Sequence, residues 1–135
     1  MQEYRIVFSA QRETYERREK KLMNDVIDFV ILSELSKNGE NHGYNIIKNI
    51  KKDFGYNPGT SRIYPTLNNL EKEGYITPKK IEVGGRIRKN YRLTLNGKLF
   101  FQNGLRKLEI IVEKLKIENP ISKWREKAKF HRQNL

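Results

Sequence analysis

Between Thr60 and Glu73 the chain sets Ser61, Arg62, Tyr64, Pro65, Asn68, Asn69 and Lys72 on or beside one side of a helical stretch. Their types suit a nucleic-acid duplex. A guanidinium pairs in bidentate fashion with guanine, a carboxamide pairs with adenine, and hydroxyl and ammonium groups suit phosphates. Tyr64 falls at the edge of this set, where it can pack or donate to a phosphate. Farther on, Lys79 and Lys80 precede Gly84-Gly85, and Arg86, Arg88 and Lys89 follow it. Basic side chains on both arms of a reversal suit the minor groove or its phosphates. The competing reading of the helical set is an ordinary solvated polar face. The basic hairpin beside it weighs against that reading.

Other chemistries find little material. The chain has no cysteine, which excludes disulfides, thiolate zinc sites and a cysteine nucleophile. Its two histidines, His42 and His131, have no co-ligand at a recognised spacing. Neither metal nor cofactor is expected, and His42 reads as a turn residue. Gly84-Gly85 is turn chemistry rather than a nucleotide loop, because no GxGxxG or GK[ST] pattern follows a strand. With no nucleophile and base to pair, an enzyme is not expected.

The elements that position these residues follow from periodicity. Ile63, Leu67 and Leu70 recur at helical spacing and give the stretch an apolar face opposite the polar set. Thr60 or Ser61 is the expected N-cap, and Pro65 falls inside or just after the first turn, where few hydrogen bonds are lost. Gly74 ends the helix. Two β-type runs follow, Tyr75-Ile76-Thr77 and Asn90-Tyr91-Arg92-Leu93-Thr94, with the glycine reversal between them. A helix followed at once by a basic hairpin is the plan of a winged helix, with the helix as the reader of a groove.

Pro58-Gly59-Thr60-Ser61-Arg62-Ile63-Tyr64-Pro65-Thr66-Leu67, continued by Leu70-Glu71-Lys72-Glu73-Gly74, resembles the signature of the PadR family of transcriptional regulators. His42-Gly43-Tyr44 and Tyr91-Arg92-Leu93-Thr94-Leu95-Asn96-Gly97 stand where that family has its equivalents. The likeness runs from about Leu22 to Ile117. It implies a homodimeric DNA-binding regulator, usually a repressor, and in many members a small-molecule effector.

Upstream, Leu22, Val26, Phe29, Val30 and Leu35 predict one amphipathic helix from Leu22 to Lys37, with Asn24 or Asp25 capping its start. A second helix opens at Asn41-His42-Gly43-Tyr44 and runs to about Asp53, with Tyr44, Ile47, Ile50 and Phe54 expected inward. Downstream, a long helix runs to about Ile117, capped by Thr94 or Asn96 and weakened locally by Gly97 and Gly104. In it Phe101, Leu105, Leu108, Val112 and Leu115 form a heptad-like seam, which predicts dimerisation. Phe100, Ile111 and Ile117 widen that stripe.

The expected fold class is mainly α with a small β-hairpin wing: a winged helix-turn-helix plus a long C-terminal dimerisation helix. The expected divisions are a basic arm over 1–21, the DNA-binding domain over 22–95, the dimerisation helix over 96–119 and a basic tail over 120–135. Tyr4-Arg5-Ile6-Val7-Phe8 in the arm reads as a short strand, and the tail holds the single tryptophan, Trp124.

Composition bounds the partners. The 135 residues contain 28 Lys+Arg against 16 Asp+Glu, a net charge of +12. That excess suits a polyanion, whose condensed counterions are released on binding. No apolar run approaches the ~18 residues of a membrane span, so the chain is expected to be cytoplasmic. A sequence-specific regulator acting on a pseudo-palindromic operator is the leading expectation. A non-specific architectural protein that coats DNA is the alternative, and an RNA-binding module is disfavoured because no aromatic stacking platform is apparent.

Overall fold

The computed structural model describes residues 12–116. The helices are α1 (Arg12–Asp25), α2 (Ile27–Asn38), α3 (Gly43–Phe54), α4 (Thr60–Lys72) and α5 (Leu95–Leu115), and the strands are β1 (Asn41–His42), β2 (Ile76–Val83) and β3 (Arg86–Leu93). Mainly helical with a three-stranded antiparallel sheet in the order β1-β3-β2, this is the winged-helix architecture that the sequence predicts. The expected strand in residues 4–8, the basic tail with Trp124, and His131 lie outside the described residues.

One core holds the helices and the sheet together. Ile31, Leu32 and Leu35 of α2, Ile46 and Ile50 of α3, Ile63, Leu67 and Leu70 of α4, and Ile76 of β2 are fully buried. Burial of an aliphatic side chain contributes roughly 1.5–3 kcal/mol, so this cluster is the main term holding α4 in place. Glu34 is buried among these residues and accepts from the side-chain amides of Asn38 and Asn49, which ties α2 to α3.

Several expectations are corrected. The single helix from Leu22 is two helices, because Val26 at φ −104°, ψ 9° turns the chain between α1 and α2. Neither Asn24 nor Asp25 caps α2, whose first residue follows Val26 with no side-chain cap. Leu22 belongs to α1, a charged helix that begins at Arg12 and buries none of its residues, so it has no apolar stripe to continue that of α2. In α3 the inward stripe is Gly43, Ile46, Ile47 and Ile50, while Tyr44 and Phe54 are exposed. Ile47 and Ile50 are inward as expected, whereas the position at the helix start that packs against α4 is Gly43, under the Tyr64 ring, and its neighbour Tyr44 lies on another side of the helix.

At α4 the N-cap is Gly59, at φ 75° and without a side-chain cap, so neither Thr60 nor Ser61 fills that role. The Asn57 carboxamide oxygen instead accepts from the Gly59 N–H at 3.1 Å, shaping the turn before the helix. Pro65 lies inside the helix, just after its first turn, without ending it. Gly74 ends it at φ 82°, with the Tyr75 N–H donating to the Leu70 carbonyl at 2.9 Å in the pattern of a glycine stop.

The wing is longer than expected, eight residues on each arm. Gly84 and Gly85 have φ of 58° and 78°, the positive values a two-residue reversal requires. Pro78 sits on the edge strand β2, where its missing N–H costs the sheet least. The two-residue strand β1, which no periodicity could announce, pairs Asn41 with Tyr91 and His42 with Asn90.

Helix α5 is capped by Thr94, whose hydroxyl accepts from the Gly97 N–H at 3.0 Å and donates to the Gly74 carbonyl at 2.6 Å. Gly97 and Gly104 do more than weaken the helix, because each is a point of close approach. A Cβ at Gly97 would stand 1.9 Å from the Tyr75 carbonyl oxygen, and one at Gly104 would stand 1.9 Å from the Phe29 ring. Phe100 stacks on Phe29 and on Tyr75, with centroids 5.4 and 4.3 Å apart. The first half of α5 is thereby docked on α2 and the start of β2.

Candidate nucleic-acid interface

The buried face of α4 fixes what its other face presents. With Ile63, Leu67 and Leu70 inward, Ser61, Arg62, Tyr64, Pro65, Asn68, Asn69 and Lys72 are all exposed. Thr66 donates its hydroxyl to the Arg62 carbonyl at 2.7 Å, so it is engaged with the helix backbone. No ion pair among the described residues involves Arg62 or Lys72. The helix thus offers a guanidinium, two carboxamides and an ammonium without internal partners, the donor set that base edges and phosphates accept.

The wing residues divide between the two faces of the hairpin. Cross-strand partners share a face, so Lys80 and Lys89 lie together on the side of Tyr91, while Lys79, Arg86 and Arg88 lie on the other with Asn90. Lys80 is directly opposite Lys89, a like-charge pairing that an anion would relieve. The Lys89 ammonium is 3.8 Å from the Glu71 carboxylate, a contact that links the wing to α4. Arg88 has a buried Nε with no hydrogen-bond partner, and Asn90 has a buried carbonyl oxygen in the same condition.

Between α4 and the wing lies a groove of about 580 Å³ lined by His42, Tyr44, Tyr64, Asn68, Arg86 and Arg88, among others. Sequence reasoning missed the contribution of α3 to this groove. Tyr44 is 71% exposed there, and the Tyr64 ring rests against the space that Gly43 leaves open. His42 is the N-cap of α3, its Nδ1 accepting from the Asn45 N–H at 3.4 Å. Burial, and then the Arg88 guanidinium, pull the His42 pKa below its ordinary value of 6.5. Burial raises the Tyr91 hydroxyl, with Glu71 and Tyr64 adding to the effect. The one signal in the sequence for Tyr44 is its place directly after His42-Gly43, in the first turn of a helix.

The proposed seam on α5 is only partly covered. Phe101 and Leu108 are half-buried, whereas Leu105, Val112 and Leu115 are exposed, as are Ile110 and Ile111. Among the described residues no cluster of three or more His, Asp or Glu could hold a metal ion, and no helix is long and apolar enough to cross a membrane.

The model of the PadR-like family of transcriptional regulators matches residues 31–103, which run from within α2 through α3, α4 and the wing into the docked half of α5. The chain belongs to the PadR family. Members and relatives of this kind are transcriptional regulators, not enzymes. The chain is similar to the transcriptional regulator YqjI of Escherichia coli, 33% identical over 102 residues that cover 74% of this chain and 47% of that protein. It is similar also to the negative transcriptional regulator PadR of Bacillus subtilis, 35% identical over 96 residues, covering 69% of this chain and 52% of that one. This PadR-family chain therefore spans about half the length of those relatives. Among solved structures, a transcriptional regulator from Clostridium thermocellum matches with TM-score 0.63 and 28% identity over 72% of this chain and 99% of that chain. Bacillus subtilis PadR in complex with operator DNA matches with TM-score 0.56 and 36% identity, covering 59% of this chain and 46% of that chain.

Proposed function

We propose that this PadR-family chain is a sequence-specific, double-stranded-DNA-binding repressor that acts as a homodimer on a pseudo-palindromic operator. The observation that carries the reading is the outer face of α4, where Arg62, Asn68 and Asn69 stand exposed beside a basic wing. A carboxamide can donate to a phosphate, but its paired donor and acceptor match an adenine edge, which binding to the backbone alone does not need. Ser61, Tyr64, Pro65 and Lys72 complete the contact surface of the helix. Lys79, Lys80, Arg86 and Arg88 supply charge from the wing, and Lys89 both supplies charge and holds the wing to Glu71. That Bacillus subtilis PadR is described as a negative regulator, in a complex with operator DNA, supports both the partner and the sign of regulation.

The homodimer forms through α5. Its second half exposes Leu105, Val112 and Leu115, which none of the described residues cover, and apolar residues in this spacing pair helices between subunits. Each α4 then enters one major groove, with half-sites about one helical turn, ~34–36 Å, apart or a multiple of it. The functional divisions are the DNA-binding domain over 22–95, a dimerisation segment over 96–119 whose described helix ends at Leu115, an arm over 1–21 and a basic tail over 120–135. The working compartment is the cytoplasm.

A small-molecule effector, which the family resemblance implies for many members, has a candidate place. A second groove of about 540 Å³ runs between the end of α2, the far face of the hairpin and α5, where Lys79, Arg92 and Lys98 surround Leu93 and Phe101. The alternative reading, a non-specific protein that coats DNA, makes a different prediction. Fluorescence anisotropy with several duplexes at two salt concentrations separates the two, because a coating protein binds all of them alike, with a steep salt dependence. Sedimentation of the free protein tests the dimer, which a monomer at micromolar concentration would contradict.

A further inference from the structure

We infer that the groove between α3, α4 and the wing is a slot for one sugar-phosphate strand, with Tyr44 and Arg88 as its principal phosphate contacts. This rests on the DNA-binding reading above and extends it to residues on α3 that face no base.

The lining is one-sided in charge. Arg86, Arg88 and Lys89 line it from the two faces of β3, and no carboxylate among the described residues does. Of these cations only Lys89 has an acidic partner among the described residues, Glu71 at 3.8 Å. Arg88 brings a buried Nε that no group of the described residues accepts from. The far wall is an open strand edge. Strand β1 pairs only with Tyr91 and Asn90, so among the described residues β3 has no neighbour on that side from Arg86 to Lys89, and an unpaired edge offers main-chain N–H donors.

The groove is also continuous with the reading face. Tyr64 and Asn68 of α4 belong both to the exposed face of that helix and to the groove lining. A strand whose bases meet α4 therefore has its backbone beside Tyr44 and the wing. With Gly43 taken up by the Tyr64 ring, Tyr44 stands exposed at the groove with its ring and hydroxyl open to a ligand. A tyrosine that lays its ring on a sugar and donates its hydroxyl to a phosphate uses both ends. Such a contact carries no sequence information and sets the register in which α4 reads.

The test compares the wild type with Tyr44→Phe and Arg88→Gln on two duplexes, one bearing the motif recovered by selection and one scrambled. Asn68→Ala serves as a base-reading control, and thermal melts check the fold. Both groove variants are expected to melt near the wild type, because Tyr44 is exposed and Arg88 makes no ion pair. Tyr44→Phe is expected to weaken both duplexes by the same factor, about fivefold. Arg88→Gln is expected to weaken both by about tenfold and to lower the salt slope by about 0.9. Unchanged affinity in both groove variants, or a loss confined to the motif-bearing duplex, overturns the slot. If an extended acidic peptide is the true occupant of the open edge, the variants bind DNA as the wild type does, which is the same contrary result. Failure of the wild type to bind either duplex overturns the parent reading and is recognisable as such.

Discussion

The Tyr64 ring lies so close over Gly43 that a Cβ added there would stand 2.6 Å from Tyr64 Cε1. The glycine that starts α3 and the aromatic of the reading helix are thus fitted to one another, and this contact sets how α4 crosses α3. Gly43→Ala is expected to displace the ring rather than unfold the protein, because the obstructing atoms lie at the end of a side chain. The stability cost is about 1 kcal/mol, that of one side chain forced off its rotamer. DNA affinity is expected to fall more than stability, since Tyr64 sits on the interface. Urea denaturation beside anisotropy titration checks both.

Gly97→Ala is expected to be far more damaging. Its Cβ would meet the Tyr75 carbonyl oxygen at 1.9 Å, and a backbone atom cannot swing aside. The helix start must shift from the Gly74–Thr94 junction, at a cost of about 3 kcal/mol or more. A ranking by denaturation midpoint with Gly43→Ala above Gly97→Ala supports this picture, and equal midpoints contradict it.

His42 gives the fold a pH dependence of known sign. Its pKa is lowered in the folded chain, first by burial and then by Arg88, and its Nδ1 must be unprotonated to accept from Asn45. The contribution is fully present above the ordinary 6.5 and is lost as pH falls below it, because the unfolded chain takes up the proton first. His42→Asn keeps an accepting N-cap and does not titrate. The variant is expected to lose less stability than the wild type between pH 7.5 and 5.5, values of the order at which histidine titrates. Identical losses would show that His42 is not responsible.

The same residues show what a sequence discloses and what it hides. Ile63, Leu67 and Leu70 are spaced for a helix and are buried as one face, so the polar face of α4 was legible in advance. Gly74 and Gly84-Gly85 sit where positive φ is needed, and the end of the helix and the turn of the wing follow from them. The phase of α3 was legible in its middle, at Ile47 and Ile50, but not at its ends, where Tyr44 and Phe54 are exposed. The start of its inward stripe depends on the approach of Tyr64 to Gly43, a tertiary contact that no local period encodes. The strand β1 was hidden for a related reason, since two residues pair with β3 only because the chain brings them there. The break at Val26 was obscured by apolar residues that continue across it, although α1 keeps none of them buried.

In the proposed dimer the exposed Val112 and Leu115 of α5 belong to the seam between subunits. Val112→Asp with Leu115→Asp is expected to leave the fold intact, because neither side chain meets the core, and to convert the dimer to a monomer in sedimentation. Operator affinity should fall by well over tenfold as the second half-site contact is lost. A dimer that persists in the double variant would place the subunit contact elsewhere.

In the proposed function α4 reads bases. The most direct measurement is selection from a random duplex library at two salt concentrations, with the wild type beside Arg62→Ala and Asn69→Ala. The account predicts an inverted-repeat motif for the wild type, and relaxed preference at particular positions in each variant, at a cost of about 1–3 kcal/mol for each lost bidentate contact. Recovery of no motif, with uniform affinity that falls steeply with salt, would contradict it.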